Sequence, residues 1–490
     1  MSLVQINNLT FGYDGSFDNV FENVSFRFDT DWRLGLTGRN GRGKTTLLNL
    51  LAGKYEYRGE ILTSVRFDYF PFAVGDSDTL TSEVVGQIAP DCEAWKLARE
   101  MSLLELGDDI LTRPFGTLSM GERTKLMLAA LFLRGENGGF LLIDEPTNHL
   151  DVRGRELTAR YLRGKGGFLL VSHDRVFLDA CIDHIISINR ADIEVLHGNF
   201  STWREEKRRR DEAEIAKNDR LKKDIGRLTD STRRAANWSD KVEKSKIGEH
   251  AGDRGALGAQ AARMMKRAKN IQRRRDESVE EKSGLMKNLE KTDALRLSPL
   301  THHSPRLVVL EDVSIRYGDK TVCENVSFTV GPGQRLALSG RNGSGKSSLL
   351  KLILGGDIPH SGSVRLASGL KISYVSQDTS GLSGDLKSYA RDCGVDQSLF
   401  MSVLRKLDFP RVQFEKDMLD FSGGQKKKVL VARSLCEEAH LYVWDEPLNF
   451  VDILSRIQIE ELLLEFKPSM IFVEHDKGFT ENAATDFVEL

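Results

Sequence analysis

One eight-residue pattern constrains this chain more than any other, and it occurs twice. The copies are Gly38-Arg39-Asn40-Gly41-Arg42-Gly43-Lys44-Thr45 and Gly340-Arg341-Asn342-Gly343-Ser344-Gly345-Lys346-Ser347. Each follows a short apolar run (Leu34 to Thr37; Leu336 to Ser339) and opens into a Leu-rich helical pattern. That context makes G-x-x-x-x-G-K-[ST] a phosphate-binding loop. Glycines let successive backbone N–H groups curl around a di- or triphosphate, and the helix N-terminus adds its positive end. Lys44 and Lys346 are expected to reach the β/γ-phosphates, and Thr45 and Ser347 to hold Mg²⁺. Gly38, Asn40, Gly41, Gly43 and Thr46 complete one cradle; Gly340, Asn342, Gly343, Gly345 and Ser348 complete the other. A ligand-free Gly-rich turn explains one such loop poorly and two not at all. The expectation is ATP with Mg²⁺ at two places.

The loop belongs to a larger repeat. Lys44 and Lys346 lie 302 residues apart, Asp144 and Asp445 301, His173 and His475 302. Each copy alternates β-branched runs with helical patterns, which predicts an α/β fold around a largely parallel sheet. At 490 residues the chain exceeds one core. It divides into a first copy over 1–203, a dissimilar insert over 204–297 and a second copy over 298–490. Five Cys without C-x-x-C spacing speak for free thiols in a reducing, cytoplasmic setting. The N-terminus lacks a basic n-region, and no apolar run approaches the roughly 18 residues a membrane span needs.

Phe140 to Ile143 is a buried-strand run ending in Asp144 and Glu145. A carboxylate at that strand end can order a Mg²⁺ shell, and its neighbour can polarise an attacking water. Asp144 takes the first role and Glu145 the second. Phe168 to Val171 is another strand, after which His173 is placed for a γ-phosphate contact. Between loop and strand, Leu118-Ser119-Met120-Gly121-Glu122 resembles the L-S-G-G-[EQ] signature of the ATP-binding-cassette (ABC) family. In the second copy Tyr374-Val375-Ser376-Gln377 resembles the family's Q-loop and Phe421-Ser422-Gly423-Gly424-Gln425 its full signature. Asp445-Glu446 resembles its Walker B end, and Glu474-His475-Asp476 its H-loop. Tyr317 and Tyr13 precede the loops where the family stacks an aromatic on adenine; a core aromatic is an equal reading for Tyr13.

The resemblance implies that the cassettes pair head to tail within one chain. One site then combines Lys44, Asp144, Glu145 and His173 with Ser422, Gly423, Gly424 and Gln425. The other combines Lys346, Asp445, Glu446, Gln377 and His475 with Ser119, Gly121 and Glu122. Thr45, Asp144, Ser347, Gln377 and Asp445 would surround Mg²⁺; Glu145, Glu446, His173 and His475 would be catalytic. Three departures stand out. Met120 replaces a signature Gly, Phe72 sits where a Q-loop Gln is expected, and Leu448 and Phe450 replace the Thr and His of the first copy's Pro-Thr-Asn-His. Both Glu residues survive, so two competent but unequal sites are expected.

The insert has another texture. Leu221, Ile225, Leu228, Thr232 and Ala235 follow 4-3-4-3 steps, and Ala261, Met265 and Ala268 keep the same register. This predicts a long antiparallel α-helical hairpin whose tip stands on the order of 50 Å from the cassettes. Residues 204–297 hold 27 Lys+Arg against 18 Asp+Glu, and 233–275 hold 13 against 4. The arms are therefore balanced, as a solvated helix face is, while the tip is cationic on an acidic body. Such a tip suits phosphates, and structured RNA read by shape more than base sequence. Candidate contacts are Arg233, Arg234, Trp238, Lys241, Lys244, Lys246, Ile247, Arg254, Arg263, Lys266, Arg267 and Lys269.

Two fused cassettes with a charged helical linker resemble the ABC-F group. Thr30 to Gly35, Trp444 to Phe450 and Ala262 to Arg267 look like the Lsa/Vga kind of antibiotic-resistance proteins in that group. The resemblance implies binding to the 70S ribosome in the tRNA exit-site region, with the tip against 23S rRNA and the P-site tRNA. It also implies protection against lincosamides, pleuromutilins and streptogramin A. Three rivals remain. A housekeeping translation or assembly factor shares the architecture; a double-cassette DNA-repair ATPase commonly carries a further basic C-terminal coiled coil; a transporter leaves the hairpin unexplained.

Overall fold

A computed structural model describes residues 2–13, 19–135, 138–148, 150–189, 193–217, 219–220, 223, 295–318, 320–341 and 343–490. Two compact units result, Met1–Ser201 with Thr292–Leu490, and Thr202–Lys291. In the second unit the described residues include a helix over 202–217 with Arg–Glu pairs one turn apart, such as Arg209 with Glu205. The remaining hairpin register and every candidate RNA contact from Arg233 to Lys269 lie outside the described residues, as do Asn342 and His149.

The first unit holds both repeats, each built on two sheets. In the first repeat the six-stranded sheet runs Arg66–Phe70, Gly139–Asp144, Phe168–Val171, Arg33–Thr37, His184–Ile188, Ile193–His197. Its pairings are parallel except the last. The second repeat has five parallel strands: Ile372–Val375, Leu441–Asp445, Met470–Val473, Arg335–Ser339, Asp486–Glu489. Central parallel strands are covered on both faces, which is why they read as unbroken apolar runs. Phe168–Val171 and Leu441–Asp445 are buried at every position.

A three-stranded antiparallel sheet flanks each parallel one, Phe21–Asp29, Leu3–Phe11, Arg58–Leu62 in the first repeat and Lys320–Val330, Val308–Tyr317, His360–Leu366 in the second. Val4, Ile6, Leu9 and Phe28 on one, Leu34 and Leu142 on the other, and Leu47 of the helix Lys44–Leu51 share a single core. That packing carries Tyr13, two residues past the end of its strand, and Tyr317, the last residue of its own, to the phosphate loops. Leu295 and Leu297, which the sequence reading leaves in the insert, are buried in the core of the second cassette. The cassette therefore begins before residue 298. Two isolated Leu residues beside a charged stretch offer no periodicity from which to see this.

Candidate active site: two cavities shared by the repeats

Each phosphate loop joins a central strand to a helix, Lys44–Leu51 or Lys346–Ile353. Gly43 and Gly345 precede these helices at φ 90 and 92, in the left-handed region that glycine tolerates. A Cβ on Gly43 would also lie 2.6 Å from Val20 and 2.8 Å from Phe21. The lysines turn back over their loops. Lys44 Nζ donates to the carbonyls of Gly38 (2.7 Å) and Arg39 (3.2 Å), and Lys346 Nζ to those of Gly340 and Arg341 (2.8 Å each). Burial pushes the Lys44 ammonium down from its ordinary value, while Asp452 and Glu145 pull it back.

The Mg²⁺ side is arranged alike in both repeats. Thr45 Oγ1 donates to Asp144 Oδ2 at 3.0 Å, and Ser347 bonds Asp445. Asp445 Oδ1 is buried and, among the described residues, has no hydrogen-bond partner. Hydroxyl and carboxylate oxygens are the hard ligands Mg²⁺ takes, so Thr45 with Asp144 and Ser347 with Asp445 fit the ion. Tyr69, which the sequence reading passed over, also donates to Asp144 Oδ2 at 2.8 Å. Its signal was available, since Tyr69 occupies the strand position matched by Tyr374 just before Gln377.

Glu145 and Glu446 follow the strand ends at φ 51 and 48, a left-handed conformation rare for a non-glycine residue. The same strained turn in both copies aims a carboxylate into a cavity. Their surroundings differ. Both Glu145 oxygens are buried, and among the described residues no side chain donates to them in good hydrogen-bond geometry; the His173 backbone N–H faces the carboxylate, and His173 Nε2 stands 3.2 Å from Oε1. Burial, then the Asp144 charge, pushes Glu145 up to about 7. Burial, with Lys44 and Arg456, drives His173 well below its usual value, so its imidazole is neutral at pH 7. Glu446 Oε2 accepts from Asn449 Nδ2 at 2.5 Å, and Oε1 lies 3.4 Å from His475 Nε2. Burial alone would raise Glu446, but His475 and a hydrogen bond from Gln377 outweigh it and hold it below the usual carboxylate range.

The repeats face each other head to tail. A cavity of 290 Å³ is lined by Asn40, Gly41, Glu145 and His173 of the first repeat and Ser422, Gly423, Gly424, Gln425 and Lys428 of the second. Asn40 Nδ2 donates across it to the Phe450 carbonyl at 3.0 Å. A Cβ on Gly424 would meet that carbonyl oxygen at 2.3 Å, which requires glycine there. A second cavity of 550 Å³ is lined by Gly343, Gly345, Lys346, Ser347, Ser348, Gln377, Glu446 and His475, with Met120 from the opposite signature. Asn148 and Phe450 border both cavities. Ser119, Gly121 and Glu122 stand behind Met120, and the Glu122 carboxylate accepts from Ser119 N and Oγ at 2.7 Å each. Ser422 and Gln425 close a neutral capping box at the matching place.

The aromatic pair stands at the loops. Tyr13 shares a hydrogen bond with Thr46 Oγ1 at 2.8 Å, and Tyr317 donates to Ser348 Oγ at 3.1 Å. Each ring is 45% exposed, more than a core aromatic would be.

The chain is similar to known proteins. The family described as ABC transporter matches residues 21–148 and 323–449. The ribosome protection protein VmlR of Bacillus subtilis is 28% identical over 487 residues, covering 98% of this chain and 85% of the relative. The energy-dependent translational throttle protein EttA of Haemophilus influenzae is 26% identical over 525 residues, covering 96% and 89%. Among solved structures, a chain of the complex of archaeal ribosomal stalk protein aP1 and archaeal ribosome recycling factor aABCE1 aligns with a TM-score of 0.64. It is 18% identical and covers 98% of this chain and 87% of its own, a likeness of fold.

Proposed function

The chain belongs to the ABC transporter family in both of its halves, and from that premise we propose that it is an ABC-F ATPase acting on the bacterial ribosome. The observation that carries the reading is the pair of composite cavities built by two cassettes of one chain. Among the described residues no helix is long and apolar enough to cross a membrane. Relatives named for ribosome protection and for throttling translation span nearly the whole chain.

In this reading Lys44, Lys346 and the loop amides bind the ATP phosphates, and Ser422 to Gln425 complete the first site in trans. Thr45 with Asp144 and Ser347 with Asp445 would hold Mg²⁺, which would neutralise charge on the phosphates. Glu145 and Glu446 take a proton from the attacking water, and His173 and His475 fix the γ-phosphate geometry. ATP favours the closed cassettes, hydrolysis the open ones, and the linker's pose follows. The closed form docks in the tRNA exit-site region with the cationic stretch 233–275 against 23S rRNA and the P-site tRNA. Lincosamides, pleuromutilins and streptogramin A are the drugs displaced from the peptidyl-transferase centre. EttA favours a second reading, a housekeeping translation factor.

Co-sedimentation tests the ribosomal role. The Glu145→Gln/Glu446→Gln chain should pellet with 70S ribosomes in ATP and not in ADP; no association in either nucleotide sinks it. Susceptibility of a host to the three drug classes, with and without the gene, separates protection from housekeeping.

A further inference from the structure

The repeats also meet at a point that neither nucleotide cavity requires. Arg155, in the helix Val152–Arg163 of the first cassette, is 8% exposed. Its guanidinium reaches three acceptors at 3.0 Å each: the Leu150 carbonyl through Nε, and Asp174 Oδ2 and the His475 carbonyl through Nη1. Two of these lie in its own cassette and the third in the other. Arg456, at the matching place in Ile453–Phe466, donates to the Val451 carbonyl at 2.9 Å and to Asp476 Oδ2 at 3.0 Å, both in its own cassette.

Asp174 and Asp476 each cap a helix with the other oxygen, accepting from Phe177 N and Phe479 N at 3.0 Å. Four buried charges, two of each sign, therefore gather where the two H-loops meet. Burial and then the charge of Asp476 raise the Asp174 carboxyl, so the two acids feel each other across the boundary. A buried charged network of this kind is expensive to leave half-satisfied. It also sits one residue from His173 and from His475.

The cross-cassette bond falls on the peptide that carries His475. That imidazole faces Glu446 Oε1 at 3.4 Å inside the second cavity. A planar guanidinium holds its acceptors in a fixed geometry, so the His475 backbone is anchored from the other cassette. Separating the cassettes breaks the anchor. We propose that Arg155 is a positioning residue for the second ATP site, making the His475–Glu446 arrangement conditional on cassette pairing. This rests on the ATPase reading of the site and not on the ribosomal one.

The test uses the full-length Glu145→Gln chain, in which turnover comes from the second site. Arg155→Lys keeps a positive charge beside Asp174 but loses the fork that joins all three acceptors. The expected result is a kcat about ten-fold lower with the KM for ATP within about two-fold, since the pair acts on the reacting phosphate more than on ground-state binding. On a His475→Ala background the same substitution should cost less than about two-fold, because the effect travels through His475. A KM that rises in step with the loss, an unchanged kcat, or an equal loss on the His475→Ala background overturns the assignment. So does a Glu145→Gln chain without turnover. An unmodified chain that does not hydrolyse ATP sinks the ATPase reading instead.

Discussion

The two catalytic carboxylates should answer differently to acid, and single-site chains can show it. Glu446→Gln leaves turnover to the first site, where burial and Asp144 raise Glu145 to about 7. A general base works ionised, so activity is present above that value and lost as pH falls through it. At pH 6 about one tenth of Glu145 is ionised, and turnover should stand about ten-fold below its alkaline plateau. Glu145→Gln leaves the second site, where His475 and Gln377 hold Glu446 low despite burial. Its rate should change little between pH 8 and 6. The assay is steady-state phosphate release at constant ionic strength across that range. Superimposable profiles, or a flat first-site profile down to pH 6, refute the assignment. The same shift bears on stability. A folded value of about 7 against an ordinary 4.5 means that the ionised buried carboxylate opposes folding by up to about 3 kcal/mol at pH 8. Protonation relieves the penalty as pH falls. Glu145→Gln should therefore raise the melting temperature at pH 8, with a smaller gain at pH 5.

Three further substitutions have readable outcomes. Met120→Gly removes the side chain that borders the second cavity and should speed second-site turnover several-fold in the Glu145→Gln chain; an unchanged or slower rate contradicts the view that Met120 obstructs closure. Lys428→Met strands Asp452, whose partner lies at 2.6 Å with both side chains almost fully buried, and should cost about 3–5 kcal/mol in denaturant unfolding; a loss under about 1 kcal/mol contradicts this. Tyr69→Phe deletes a 2.8 Å donor to Asp144 and should raise the Mg²⁺ concentration needed for half-maximal first-site turnover several-fold, with the second site unmoved.

What was legible in the sequence was whatever depends on a fixed local spacing. The phosphate loops and the first copy's strand-end carboxylates each lie on one strand–turn–helix unit, so their positions followed from local spacing, while Glu446 and His475 came from the resemblance. The head-to-tail pairing came from resemblance, and Asn40 reaching the Phe450 carbonyl shows what the motifs alone omit. Arg155 was invisible because its acceptor lies 320 residues away. Tyr69 was legible only by aligning its strand with that of Tyr374, since an aromatic in a short strand needs no site to explain it. Lys428 and Asp452 are joined inside the second cassette across 24 residues, a pairing that no local spacing shows.

Each site combines one complete half with one deficient half, and the deficiencies are of different kinds. The first site faces a full signature, Ser422 to Gln425, but its own cassette has Phe72 where a Q-loop glutamine is expected, and among the described residues no side chain donates to Glu145 in good geometry. The second site has Gln377, Asn449 and His475 around Glu446, but across the cavity it meets Met120. A defect in the cassette that holds the water and metal side acts on the chemical step. A defect in the opposing signature acts on closure, because that surface is met only when the cassettes come together. The first site should then be limited by proton transfer and show the steep pH dependence, while the second depends on the closing motion as well as on its chemistry. Solvent viscosity separates these: raising it should slow the Glu145→Gln chain measurably and leave the Glu446→Gln chain nearly unchanged. The reverse pattern would place the chemical defect at Met120 and remove the distinction drawn from Glu145.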